Sequence, residues 1–390
     1  MSENLLMNII DYLKWRGDLS LKASPFNEVD NLIISQMAYT GFDEYFKLKD
    51  SYTISELSDL FFNDHTDEEI MASKSFVKLA PFVLREMANS IRFKDCLVHD
   101  FVSTIDEKTF EQFCCFQVDL SDHTTYVAFR GTDDTIVGWH EDFCMSFEIV
   151  PAQVAAKEYI QRLSPYRKYR IGGHSKGGAL ALYAGLNAPR KGKNIINIYS
   201  NDGPGLNRKY LSQDELDAYE NIKGKIIKIV PEFDFFGVLF SKDYITKVVK
   251  SDAVMLLQHS AMSWLVEGTK FVETTLSEES KMIEVNYREF LDNANEEECK
   301  AFTEEMFDVL RDAGVDTVSE FIEGGLPLFV KTLYDISNMN KKSKAFAKSI
   351  FDAFIKGYGS GVSEKVKTVK DNLMESVIEK EKSLKERFSK

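Results

Sequence analysis

The segment Gly173-His174-Ser175-Lys176-Gly177 sets one serine between two glycines in the order G-x-S-x-G. That order is the form of a nucleophile elbow, a sharp strand-to-helix turn that exposes the serine hydroxyl. Glycines are needed on either side because a side chain there would strike the neighbouring strand or helix. A serine hydroxyl is a weak nucleophile at neutral pH and needs an adjacent base, which in turn needs a carboxylate to orient it. Where this elbow is used the order along the chain is serine, acid, histidine. Of the six histidines only His259 follows Ser175, so it is the candidate base. Two carboxylates contend for the third place. Asp202 stands in Ser200-Asn201-Asp202-Gly203-Pro204-Gly205, and Asp234 in Pro231-Glu232-Phe233-Asp234. Asp234 is preferred, because its strand comes later and because Phe233, Phe235 and Phe236 would shield a carboxylate–imidazole bond; Asp202 stays as the alternative. The chemistry implied is acyl transfer through Ser175.

A developing oxyanion needs two donors. The backbone N–H of Lys176, next after the serine at the head of a helix, is one candidate. Phe129-Arg130-Gly131-Thr132, at the end of an apolar strand, offers the other through the N–H of Thr132, whose hydroxyl could add a further donor. A plain turn, with Arg130 in a structural ion pair, is the competing reading. The Lys176 ammonium is expected to reach water, as lysine heads usually do; selection of an anionic substrate is the alternative.

Those residues sit in a recognisable order of elements. Residues 1–95 read as mostly helical: Ile9, Tyr12 and Leu13 share one face, and Val29, Leu32, Ile33, Gln36 and Met37 another. Ser24-Pro25-Phe26-Asn27 between them is a turn and cap signal. Residues 96–103, 110–118 and 125–129 are short, β-branched and aromatic, and read as consecutive antiparallel strands. Strands at 169–172, 195–199, 225–230 and 245–249 then alternate with helices at 152–163, 177–186 and 214–221. That alternation implies a parallel sheet covered by helices. The expected fold class is therefore α/β: a mixed, mostly parallel sheet of α/β-hydrolase type, with an N-terminal helical segment and a C-terminal helical extension. The expected divisions are 1–95, 96–270 and 271–390. Beyond Gly357-Tyr358-Gly359-Ser360-Gly361, the residues Val362, Val366, Val369, Leu373 and Val377 form one apolar stripe on a charged helix. It is expected to pack on the main body or on its own copy, with a membrane surface as the less favoured partner.

Composition sets wider bounds. With 44% hydrophobic and 28% charged residues, the 390-residue chain can build a real core. A net charge of −14 opposes general binding to nucleic acid. The five cysteines include no C-x-x-C pair and are odd in number, which fits a reducing compartment better than a disulfide framework or a zinc site. The N-terminus lacks the basic start and apolar run of a secretory signal, and no stretch of eighteen apolar residues occurs, so a cytoplasmic protein is expected.

Phe129-Arg130-Gly131-Thr132, Trp139 and Asp142, followed by the G-x-S-x-G elbow, resemble the fungal-type class 3 lipases of the α/β-hydrolase superfamily. That resemblance implies Thr132 and Lys176 as oxyanion donors, Asp234 as the acid and His259 as the base. It treats 202–205 as a structural stretch. Asp11-Tyr12-Leu13-Lys14-Trp15-Arg16-Gly17-Asp18 and the stretch 24–32 resemble, more closely, the bacterial Mbeg1-like proteins; this likeness covers about residues 5–270. Lipases carry a long apolar lid where 143–151 is short, which argues against activation at a lipid interface. A serine esterase acting on a small-molecule or lipid ester, without metal or organic cofactor, is the function expected. A non-catalytic scaffold working through its C-terminal helices is the alternative.

Overall fold

The computed structural model describes residues 7–317, apart from 74, 76, 107–110, 133–135, 146, 240–243, 313 and 315–316. The apolar stripe at 362–377 and the glycine-rich break before it lie outside the described residues. The chain divides into two compact units, 1–284 and 285–390. The boundary read from the sequence at 270/271 falls inside the first unit.

That unit is built on one eight-stranded sheet in the order β1 to β8. The N-terminal helices are α1 (Ile9–Arg16), α2 (Glu28–Met37) and α3 (Asp43–Phe46), then, after the short strand β1 (Ser51–Thr53), α4 (Ile54–Asp64), α5 (Asp67–Ala72) and α6 (Ala80–Ala88). Strands β2 (Leu97–Asp106), β3 (Glu111–Asp119) and β4 (Thr125–Phe129) follow. Next come α7 (Ile136–Cys144), α8 (Pro151–Gln161), β5 (Tyr169–His174), α9 (Lys176–Leu186), β6 (Ile195–Asn201), α10 (Gln213–Ile222), β7 (Ile226–Pro231) and β8 (Ile245–Val249). Strands β1 to β4 pair antiparallel, and β4 to β8 pair parallel. The parallel strands follow one another in order, so right-handed crossovers put α8, α9 and α10 on one face, and the N-terminal helices cover the other.

The two faces are visible in the side chains of β4. Tyr126 and Ala128 belong to the core shared with α1, α2 and α6. Phe129 points the other way, with ring centroids 6.1 Å from Phe113 and 6.3 Å from Tyr159 of α8. A strand's period of two produces that division. Ile9, Tyr12 and Leu13 are buried on α1, as their spacing implies. Helix α2 is capped by the Asn27 side chain, which accepts from the N–H groups of Val29 and Asp30, while Asp30 reaches back to the N–H of Asn27.

The N-terminal helices are part of the sheet's architecture. They supply β1, which pairs with β2 at the antiparallel edge, a three-residue strand too short for its period to show. Buried Arg92 also ties the region together. It forks onto the Asp30 carboxylate and donates to the carbonyls of Leu19 and Ser24. A planar five-donor guanidinium suits several fixed acceptors at once, which is how it satisfies its charge while buried. In the second unit α12 (Glu296–Asp312) follows α11 (Glu278–Asn293), whose first turns still belong to the first unit; Phe290 and Phe302 sit with ring centroids 5.0 Å apart. Among the described residues no helix is long and apolar enough to cross a membrane.

Candidate active site

Strand β5 ends at His174, and α9 begins at Lys176. The residue between them, Ser175, has φ 58° and ψ −132°. A serine in that left-handed region stores backbone strain and keeps it only where the surroundings enforce it. Here the enforcement is close packing. A Cβ built on Gly173 would stand 2.3 Å from the Gly177 carbonyl carbon, and one on Gly177 2.2 Å from the Phe129 carbonyl oxygen. Both elbow glycines are therefore required. The turn is pinned by the Ser175 N–H donating to the Asn201 carbonyl at 2.8 Å, and by the Gly178 N–H donating to the Ser175 carbonyl at 2.9 Å.

Beneath the elbow lies a buried polar network. Asn201 Nδ2 donates to the Gly173 carbonyl, and Asn31 Nδ2 donates to Asn201 Oδ1 at 2.8 Å. The Tyr126 hydroxyl donates to Asn31 Oδ1 at 2.6 Å, and Ser35 lies 3.0 Å from that hydroxyl. A closed network of this kind specifies one arrangement, because any broken link strands a buried polar group. Helix α2 thus reaches through the sheet's end to fix the strand that carries the serine.

His259 closes a one-turn 3₁₀ segment, Met255–His259, and is buried. Its loop is held from two sides. The ring of His174, the residue before the serine, brings Nε2 to 2.8 Å from the His259 carbonyl, while Tyr39 lies 3.0 Å from His174 Nδ1. A carbonyl can only accept, so His174 carries its proton on Nε2, and its Nδ1 faces the Tyr39 hydroxyl, which also reaches the His174 carbonyl oxygen at 3.2 Å. Burial pushes the His174 pKa well below its ordinary value, which keeps that ring neutral. On the other side Gln258 accepts from the Phe233 N–H at 2.8 Å, and its carbonyl accepts from the Trp264 indole at 2.8 Å.

The carboxylate on His259 differs from the one expected. Asp202 Oδ2 lies 2.7 Å from His259 Nδ1, whereas sequence order and its apolar flanks favoured Asp234 for that contact. The reason is geometric. Strands β6 and β7 are adjacent and parallel, so both carboxylates emerge at the same sheet edge. Asp202 follows β6 directly, with φ 50°, and its N–H donates to the Ile229 carbonyl at 2.7 Å. That positive φ turns its carboxylate toward the histidine. Asp234 sits one layer behind, where the Gly237 N–H donates to its Oδ1 at 2.7 Å. Burial pushes Asp202 up to about 6 and Asp234 well above its ordinary range. Burial also pushes His259 down to about 4, against an upward pull from Asp234. At neutral pH the imidazole is uncharged and Asp202 is ionised. An ionised carboxylate only accepts, so Nδ1 carries the proton and Nε2 is left as a base.

Gly131 brings the Arg-Gly-Thr turn against the elbow: a Cβ on it would lie 3.2 Å from Ser175 Cβ. Thr132 is buried, and its hydroxyl donates to the Asp142 carboxylate at 3.0 Å. That hydroxyl hydrogen is committed, which leaves the backbone N–H as the donor Thr132 could offer. Burial raises Asp142 to about 7.

The Lys176 side chain departs from the expectation that it reaches water. It is buried and ion-paired with Glu141 of α7, and it donates to the Gln112 carbonyl at 3.0 Å. Glu141 in turn accepts from the Ala152 N–H. The first residue of α9 thus clamps α7, the helix after the candidate oxyanion turn. No sequence signal marked this pair, since the two residues are thirty-five positions apart with no periodic relation. His174 was equally hidden, as the variable position of a motif read for its serine.

A serine on a strand–elbow–helix turn in the middle of a sheet whose pairing runs from antiparallel to parallel is the arrangement of the α/β-hydrolase fold. A family model described as Mbeg1-like matches residues 87–308, and the chain belongs to that family. No curated protein matches. Among solved structures, lipase II from Rhizopus niveus is similar at 12% identity and a TM-score of 0.31, over 63% of this chain and 84% of that one.

The clamp has a measurable consequence. Glu141→Leu should leave the Lys176 ammonium buried without its partner and cost about 3–5 kcal/mol in urea unfolding. Adding Lys176→Met should recover most of that loss. A single-variant cost below about 1 kcal/mol would show that the pair does not hold α7.

Proposed function

We propose that the protein is a serine hydrolase that cleaves carboxylic esters through an acyl-serine intermediate. The observation that carries this reading is the strained φ of Ser175, next in the chain to the His174 ring that holds the His259 backbone, together with a buried His259 imidazole whose Nδ1 meets a carboxylate. A protein gains no stability from a serine at φ 58°, so the strain is best explained by the exposure it gives the hydroxyl.

Nε2 of His259 takes the proton of Ser175 as Oγ attacks the ester carbonyl carbon. The C=O π electrons move onto oxygen, and the N–H groups of Thr132 and Lys176 hold that oxyanion. Collapse re-forms the carbonyl and breaks the bond to the alcohol oxygen, which leaves with the proton from His259. Water then attacks the acyl-serine, passing its proton to His259. The second collapse frees the carboxylic acid and returns that proton to Ser175 Oγ. Asp202 stays ionised throughout and balances the imidazolium in each transition state. Phe236, whose ring centroid is 4.7 Å from that of His259, keeps one face of the imidazole apolar. Phe143 and Phe235, with centroids 6.5 Å apart, add aromatic surface on α7 and on the loop of Asp234, and suit an apolar acyl group.

Hydrolysis of a graded series of p-nitrophenyl esters, with labelling by a fluorophosphonate, tests the proposal. Ser175→Ala should lose labelling and lower kcat/KM by at least about 10⁴-fold. Full labelling of that variant would remove Ser175 as the nucleophile.

The pH profile has a defined sign. The active form needs Asp202 ionised and His259 neutral. Because burial raises Asp202 to about 6 and lowers His259 to about 4, the first proton added on acidification goes to the carboxylate. Activity should be level above neutrality and fall below pH about 6 as the imidazole loses its counter-charge. Unchanged kcat/KM down to pH 5 would contradict this assignment.

A further inference from the structure

Behind the candidate pair lie two more charged groups, Asp234 and Lys228, for which the proposed chemistry has no use. Asp202, Asp234 and Lys228 are 1%, 1% and 0% exposed. The Lys228 ammonium donates to the Gly203 carbonyl, and its charge acts on both carboxylates. Two ionised carboxylates beside one ammonium would leave an uncompensated negative charge in a buried site, which desolvation disfavours. One proton on the carboxyl pair removes that charge.

The oxygen atoms leave one place for that proton. Asp202 Oδ2 is taken by His259, and Asp234 Oδ1 by the Gly237 N–H. The other two, Asp202 Oδ1 and Asp234 Oδ2, are buried without a hydrogen-bond donor. Both crowd one point: a Cβ on Gly237 would lie 2.7 Å from the first and 2.5 Å from the second. Two acceptors facing each other are repulsive, whereas an acid facing a carboxylate makes a strong charge-assisted bond. Buried orphan acceptors in a native structure call for such an account.

We propose that Asp234 is held as a neutral carboxylic acid which donates its proton from Oδ2 to Asp202 Oδ1, and so acts as a positioning residue for the His259–Asp202 pair. The chain of hydrogen bonds is then Asp234 to Asp202, and His259 to Asp202, with both donors converging on one ionised carboxylate. The groups facing Asp234 favour its neutral form. Asp202, after β6, repels a second negative charge; the imidazole of His259 is uncharged. Lys228 on β7 pulls the other way, yet its single charge is already shared with Asp202. Ser280 on α11 contributes only a neutral oxygen, which accepts from the Asp234 N–H at 2.8 Å. Gly237 must lack a side chain because a Cβ would fill the space in which the two carboxyls meet. The bond fixes the rotamer of Asp202 and lowers its basicity, so that it orients His259 without taking its proton.

This inference rests on the proposed hydrolase reading for its role, though not for its chemistry. The decisive variants are Asp234→Asn and Asp234→Leu beside Asp202→Asn. An amide keeps a donor toward Asp202 without a charge, so Asp234→Asn should restore most of the kcat/KM lost in Asp234→Leu, which is expected to fall about 10–100-fold. Asp202→Asn should fall about 10⁴-fold. Asp234→Asn losing as much as Asp202→Asn would overturn the proposal, since the residue would then be needed as an anion. A second measurement uses no turnover. In the infrared spectrum of the wild-type protein at pH 8, a carboxylic-acid C=O band should be present, should shift on ¹³C-aspartate labelling, and should vanish in Asp234→Asn. Absence of an aspartic-acid band in the wild type would overturn the proposal even if the ester assays succeed. The band's presence with no labelling of Ser175 would uphold it while ending the hydrolase reading.

Discussion

The site depends on one buried hydrogen bond, between Asp202 Oδ2 and His259 Nδ1 at 2.7 Å. It decides which imidazole nitrogen holds the proton and therefore which one is basic. Burial of an imidazole and a carboxylate disfavours charge on both. The structure answers that cost locally. Lys228 supplies positive charge from the strand next to Asp202, and Asp234 stands ready to keep a proton. The bond is thus the outermost member of a buried charge cluster whose net sum is close to zero.

The fold serves this bond through two constraints. Adjacent parallel strands β6 and β7 end at one edge, which brings Asp202, Lys228 and Asp234 within reach of one another. The elbow packs against that edge: a Cβ on Gly203, the residue after Asp202, would stand 2.4 Å from the Ser175 carbonyl oxygen, so only glycine fits there. The N-terminal helices complete the arrangement. Asn31 of α2 holds Asn201, and Asn201 holds both the amide of Ser175 and the carbonyl of Gly173. A region that reads as a helical preface is a structural support of the turn that carries Ser175. His174 gives a second support, linking the serine's strand directly to the backbone of His259.

Much of this was legible in the sequence for identifiable reasons. The strands at 125–129 and 245–249 match their expected ranges, because short β-branched runs bounded by turns have few other uses. The elbow was readable since its glycines answer a steric demand that no other residue meets. His259, chosen by order alone, lies at that same sheet edge with Nδ1 on a carboxylate. The choice of acid was not legible. Two aspartates followed neighbouring strands, and only the positive φ of Asp202 distinguishes the one that turns toward the histidine. Lys176 misled for a related reason. Its usual preference for water is a property of isolated side chains, and it gave way to Glu141, a partner supplied from a distant helix. Strand β1 is too short for its period to register, and the helix at 136–144 falls where no element was expected between 125–129 and 152–163.

The most direct test of the account is ¹⁵N NMR of the histidine rings, which reads their tautomers without any substrate. At neutral pH His259 should be neutral, protonated on Nδ1 and bare on Nε2. The Nδ1 proton should appear at low field and should be lost or shifted in Asp202→Asn. A His259 ring protonated on Nε2, or one whose Nδ1 signal is untouched by Asp202→Asn, would contradict the account.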